Sequence, residues 1–402
     1  MTDAESVSRW ARGFVLASAG FLVAWRALAV AGINRRTAVF LGLYGFVLHT
    51  VFGKAYSLVP AYFGRTPETP RALPVHLGLT VPGVVALAVG SATDRSALSA
   101  VGGALWLGGV VVFVAVLSWT VRGNLSGAET GTGEANADRR PVDRFANAFI
   151  PVVVAYLLAG SYATAAPAVG LPLLVDGYPP RAAHLLGAGA AALLVFAVGF
   201  RLLPRFLAAH PPRALVGVVL PAGALGPAAL AASLVERGAV FAAGAALEAV
   251  AVLGFAVAFA VTFARSDRRR VGFYGVLGGA VAGSAGVLLG LRFALGGAPA
   301  TLLALHREFN LLGFLGLTIV GVAYQFYPPA VGSFRWTSDR TALASIAAIL
   351  SGLAVEAAGV LASLPLLASV GRGLALVGAF LYAGLIVGLF YDRYWSGPGR
   401  SG

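Results

Sequence analysis

HREFNLLGFLGLTIVGVAYQFYP, residues 306–328, is the stretch on which the fold turns. Pro328 lies 22 positions after His306. A helix over that stretch, rising about 1.5 Å per residue, is roughly 33 Å long, close to one bilayer core. A histidine therefore lies near one membrane face and a proline near the other. Gly313, Gly316 and Gly321 fall between them and let a neighbouring helix or a flat ligand approach the backbone. The stretch opens on three polar side chains, His306, Arg307 and Glu308, beside a long apolar run. Such groups at membrane depth are costly and usually have a partner or a role.

Two other stretches share the layout. His184 precedes Pro204 by 20 positions in HLLGAGAAALLVFAVGFRLLPRF, and Ala38 precedes Pro60 by 22 in AVFLGLYGFVLHTVFGKAYSLVPAYF. Gly45, Gly189 and Gly313 each lie 15 positions before their proline, and Gly53 and Gly321 each lie seven before. The tetrapeptide PRAL follows twice, at 70–73 and 212–215, and DRTAL at 339–343 is similar. The common register predicts an internal repeat, over approximately 9–121, 146–264 and 271–391.

Of the 402 residues 58% are hydrophobic and 11% charged, too little charge to cover a soluble surface. Twelve apolar stretches predict an all-helical polytopic membrane protein. They span approximately 9–31, 37–59, 74–92, 97–121, 146–170, 182–203, 214–234, 238–264, 271–295, 301–327, 342–363 and 370–391. The polar segment 122–145 is expected to be a mobile cytoplasmic loop. No signal peptide is expected, because the first residues are polar and no cleavage site follows. With no cysteine, disulfides, iron–sulfur clusters and thiolate chemistry are excluded. The net charge of +13 is better explained by cytoplasmic arginines than by nucleic acid. One set of helix ends carries 18 arginines and the other six. The positive-inside rule then puts both termini in the cytoplasm of a prokaryotic cell, with His184, His306 and Glu308 near the outer face of its plasma membrane.

Twelve helices in three groups of four, with marked residues on the second helix of each group, resemble the catalytic subunit (subunit I) of haem-copper oxidases and nitric oxide reductases. His306, Gly313, Gly316, Gly321, Tyr324 and Pro328 match that family's tenth helix in register, and Phe52-Gly53-Lys54-Ala55-Tyr56 is similar to its FG-x-AY second-helix end. The resemblance implies a quasi-threefold bundle with haem near the outer leaflet. It puts His306 at the high-spin haem ligand position and His184 at a copper ligand position. The departures are as informative. Ala38 and Glu308 stand where the family has both low-spin haem ligands, and Ser233-Leu234-Val235 stands where it has an adjacent histidine pair. Copper is therefore not expected, nor is terminal oxidase turnover. A single haem b, held by His306 with His184 opposite, is what the resemblance leaves, with a diatomic gas as ligand and respiratory membrane subunits as partners.

The residues themselves leave alternatives open. His306 is either an axial ligand or an imidazole bonded to a neighbouring helix, and His184 either a distal group or an interfacial histidine. Glu308 points about 200° away from His306. His49, eleven positions after Ala38, is about 20° round from it and roughly 16 Å further along. That puts it on the ligand-type face, near mid-membrane, a fourth candidate for cofactor binding. His76 and His210 are expected at the interface or in loops. Glu248 and Glu356 either relay protons or, as the expected reading, pair with Arg292, Arg307 or Lys54, while Lys54, Arg201 and Arg205 are expected to reach the surface. Three functions fit: a gas-binding or gas-sensing haem protein, a transporter or channel, and a cofactor-free structural or assembly subunit.

Overall fold

The computed structural model describes residues 3–297 and 299–395. Arg400, which entered the arginine count, lies outside them. Twelve helices among these are long and apolar enough to cross a membrane, and no strand is present among the described residues. They are α1 (Asp3–Ala31), α2 (35–62), α3 (Ala72–Ala92), α4 (Ser96–Val121), α5 (Ile150–Val169), α6 (179–207), α7 (Arg213–Ser233), α8 (Gly238–Ala264), α9 (Val271–Gly296), α10 (300–326), α11 (Asp339–Leu361) and α12 (Pro365–Trp395). Each expected span coincides with one of them. An apolar stretch in lipid must satisfy its backbone internally, which leaves the helix as the available form.

Polar residues set the ends. Asn34 accepts from the Thr37 amide at 2.8 Å and starts α2, and Ser338 accepts from Thr341 at 3.2 Å and starts α11. α10 stops at Phe326, because Tyr327 precedes Pro328 and adopts φ −129°, ψ 76°. Pro60 and Pro204, by contrast, are carried within α2 and α6.

Three helices stand inside the other nine. In α2, α6 and α10, 83%, 78% and 78% of the most apolar window is buried, against 39–50% elsewhere. The three touch one another. Around them α3, α4, α5 and α6 pack in succession, as do α7, α8, α9 and α10, while α11, α12, α1 and α2 close the ring. Each central helix also widens to π-helical winding, at Phe40–Leu48, Leu185–Ala192 and Phe309–Leu317.

The shared glycines explain how closely the central helices are held. A Cβ at Gly45 would lie 2.6 Å from the Phe21 ring of α1, one at Gly189 2.5 Å from Tyr156 of α5, and one at Gly313 2.5 Å from Ala282 of α9. Each is thus the point where a central helix meets the helix preceding it in sequence. Gly53 and Gly321 repeat this further along, against the Ala11 and Gly272 carbonyl oxygens.

The segment 122–145 is built into the arginine-rich end. It carries two 3₁₀ turns and the start of a short helix, Arg140–Asn147. Asn124 donates to the Phe63 and Glu129 carbonyls, and Arg65 pairs with Glu129. Arg201 and Arg205 do not extend outward as expected. Both turn onto buried Asp143, and Arg205 reaches it at 2.6 Å. Arg201 also lies over the Tyr62 ring at 3.9 Å and donates to the Thr130 carbonyl. Asp143 and the carbonyls hold these guanidiniums at the helix end.

Candidate functional site

His306 and Glu308 leave α10 in opposite directions, as their spacing requires. The His306 Nδ1 bonds the Gly286 carbonyl of α9 at 2.8 Å. Its ring lies on α9, where a Cβ at Gly290 would come within 3.0 Å of it, and packs edge-on to Phe293. Asn310, one turn on, donates to the His306 carbonyl. His184 is built alike, with Nδ1 bonded to the Pro180 carbonyl at 2.8 Å. In both, an Nδ1–H donated to the carbonyl leaves Nε2 as the free nitrogen, as in metal-ligating histidines.

Glu308 faces α1 instead. Its Oε2 accepts from Arg26 at 2.7 Å. Arg26 is fully buried and also lies 3.4 Å from Glu356 of α11, which in turn accepts from Arg372 of α12 at 2.8 Å. Arg307 approaches the other Glu308 oxygen at 3.4 Å. Three cations and two carboxylates from four helices thus form one network near the arginine-poor end. Glu356 pairs with Arg26 and Arg372, not with the expected Arg292, Arg307 or Lys54. Glu248 keeps a buried Oε1 without a hydrogen-bond partner.

Beside this network, the side of α2 that follows Ala38 is covered by α1. The Trp25 ring rests on Gly42 and Phe21 rests on Gly45. Between α6, α8 and α10, Phe196, Phe255 and Phe314 meet at centroid distances of 5.2–6.3 Å, all buried. Nearer the arginine-poor end, Leu230, Phe241 and Ala245 pack with Leu291 between α7, α8 and α9. At these places side chains occupy the interior of the bundle beside α10.

His49 belongs to neither group. It is fully buried among Phe14, Phe21, Phe52 and Trp106, with Nδ1 bonded to the Tyr44 carbonyl at 2.8 Å. His76, expected at the interface, is equally buried in the same aromatic box and bonds the Tyr56 hydroxyl at 2.8 Å. Three aromatic rings cover a face of α3 that composition alone made look interfacial. His210 does lie in a connection, 2.6 Å from Asp138. The four candidate ligands are thus engaged separately: His184 on Pro180 and His306 on Gly286 by their Nδ1 atoms, Glu308 with Arg26, and His49 among the rings that also bury His76. Among the described residues no group of three or more acidic or histidine side chains is disposed to hold a metal ion.

Arg26 is the residue the sequence reasoning missed. It interrupts the apolar run FLVAWRALAV, and a cation at that depth is itself the signal. No family model matches the chain, and no curated protein matches it.

Proposed function

We propose that this chain is an integral membrane subunit of haem-copper oxidase subunit I-type architecture, three four-helix repeats about a quasi-threefold axis, that works without a prosthetic group. The shared register of α2, α6 and α10 supports the architecture: a π-helical stretch in each, and a glycine in each that meets the preceding helix. The occupied interior carries the cofactor-free reading. Where the family would hold its low-spin haem, Glu308 is engaged by Arg26, and Trp25 and Phe21 lie on α2. Where it would hold the other haem, His306 is seated on α9, and Phe196, Phe255 and Phe314 close the space further along. A haem is a rigid plate, and packed aromatic rings do not make room for it without rearrangement. On this reading the role is structural, in a respiratory assembly or its biogenesis. The arginine distribution supports cytoplasmic termini.

One observation favours a second reading, a gas-binding haem b at His306. The bond from its Nδ1 to the Gly286 carbonyl is what an axial ligand needs from its surroundings. A carbon monoxide difference spectrum of the reduced, purified chain separates the two. The first reading expects no carbon monoxide band. A band present in the wild type and lost in His306→Ala establishes the second.

A further inference from the structure

Among the described residues three glutamates are buried, Glu248, Glu308 and Glu356. Guanidiniums hold Glu308 and Glu356. Glu248 of α8 forms no ion pair with any described residue, and its enclosed Oε1 has no hydrogen-bond partner. It lies ten positions into α8, roughly 15 Å from the arginine-poor end and so near the middle of the bilayer.

The Oε1 rests on α7 at Gly226, where a Cβ would come within 2.8 Å of it. Pro227 has no amide to donate, either to a carboxylate or to the Gly223 carbonyl one turn back. Gly223 also faces α8, at Ala251, and the Ala228 amide is taken by the Tyr156 hydroxyl. This wall offers an acceptor rather than a donor, which suits a carboxylic acid and not a carboxylate. Toward the arginine-poor end Phe241 and Ala245 pack with Leu230 and Leu291, and toward the other end Phe255 packs with Phe196. Apolar layers thus separate Glu248 from both aqueous faces.

The cations expected to meet it are engaged elsewhere. Lys54 does not reach the surface but donates to the Tyr327 hydroxyl at 2.7 Å, Arg307 turns to Glu308, and Arg292 is exposed over Gly296. On α6, which also packs against α8, Arg181 bonds Asp176, His184 bonds the Pro180 carbonyl, and Arg201 and Arg205 share Asp143. Arg213 and Tyr274 stand at the arginine-rich ends of α7 and α9.

We propose that Glu248 is a proton-binding site in the membrane interior, its carboxyl kept as the neutral acid at neutral pH and reached from lipid rather than from water. An unpaired carboxylate among apolar groups is far more costly than the acid, so the group takes up a proton instead. Ionisable groups at this depth mark functional positions. Leu225, beside Gly226, and Val250, two positions after Glu248, are exposed at the same depth, so lipid lies close by. Such an acid adds to a lipid-soluble carbodiimide. Its proton passes to one nitrogen, its oxygen bonds the central carbon, and the acyl group then migrates to the other nitrogen, with nothing leaving. The inference is independent of the cofactor reading, since it involves none of His184, His306 and Glu308.

The first test is the infrared difference between wild type and Glu248→Gln, for the full chain in nanodiscs at neutral pH. Loss of a carboxylic-acid carbonyl band in the variant is expected, and loss of carboxylate bands instead would overturn the proposal. The second treats the wild type with dicyclohexylcarbodiimide and maps the adduct by mass spectrometry. Label is expected on Glu248, unaffected by sodium and not reproduced by a water-soluble carbodiimide. An unlabelled Glu248, equal labelling by the water-soluble reagent, or protection by sodium, the mark of a metal-cation site, would each overturn it. The wild-type mapping decides the matter even if the variant does not fold.

Discussion

Replacing Arg26 by methionine tests the network at its centre. Arg26 has no accessible surface and faces two carboxylates, Glu308 at 2.7 Å and Glu356 at 3.4 Å. With an effective dielectric of about 20, the closer pair is attracted by about 6 kcal/mol before desolvation is subtracted. Most of that is cancelled by the cost of burying the charges. Removing one partner, however, leaves the other buried and uncompensated, which typically costs about 3–5 kcal/mol. The structure locates this cost. Glu356 retains Arg372 at 2.8 Å, whereas Glu308 retains only Arg307 at 3.4 Å. Arg26→Met should therefore destabilise the chain by about 3–5 kcal/mol, mostly through Glu308. Adding Glu308→Gln should recover all but about 1–2 kcal/mol, because a neutral amide is far less costly to bury. Reversible unfolding in mixed micelles, followed by helical circular dichroism, measures both. A single variant within about 1 kcal/mol of wild type, or a double variant no more stable than the single one, would show that Arg26 does not hold Glu308 as a buried charge pair.

Two further predictions concern packing and pH. Gly45→Ala drives a methyl to 2.6 Å from the Phe21 ring and should cost about 1–3 kcal/mol. Gly78→Ala, on an exposed face of α3 with nothing within 4 Å, should be neutral or stabilise by up to about 1 kcal/mol; the same unfolding assay compares them, and equal effects would contradict the close approach of α1 and α2. Asp176, outside the spans, is lowered from its ordinary 3.8 to about 2 by its hydrogen bond from Arg181. A carboxylate with a depressed folded pKa stabilises above its unfolded value and loses that contribution as pH falls through the folded one. The difference in unfolding midpoint between wild type and Asp176→Asn should thus be present at about pH 5 and close toward about pH 2. A difference that persists there would show that the pair is not its source.

Much of the fold was legible because the physics is local. An apolar run long enough to cross a bilayer is a helix whatever surrounds it, so α8 coincides with its expected bounds and α9 with all but one residue. The direction of a side chain was legible too, since His306 and Glu308 diverge as their spacing demands. What each would meet was not. Arg26 lies 282 positions from Glu308, and no periodicity links them. Lys54 and Arg201 were expected at the surface because long cations near helix ends usually reach it. Here Phe326 with Tyr327, and Asp143 with Tyr62, hold them inside. His76 was misjudged for a related reason: its neighbours in sequence are mixed, and Phe14, Phe52 and Phe113, which bury it, come from α1, α2 and α4. The filling of the interior by Trp25, Phe21, Phe196, Phe255 and Phe314 was likewise invisible, because an aromatic residue in an apolar run can face lipid or core equally well.

The proposal that the chain works without a prosthetic group puts side chains where a haem would otherwise sit. The most direct measurement is the haem-to-chain ratio of protein produced with ample haem supply, by pyridine haemochrome against quantitative amino-acid analysis. The expected ratio is near zero, unchanged in His306→Ala. A ratio near one haem b per chain that falls in His306→Ala would contradict it and make His306 the ligand.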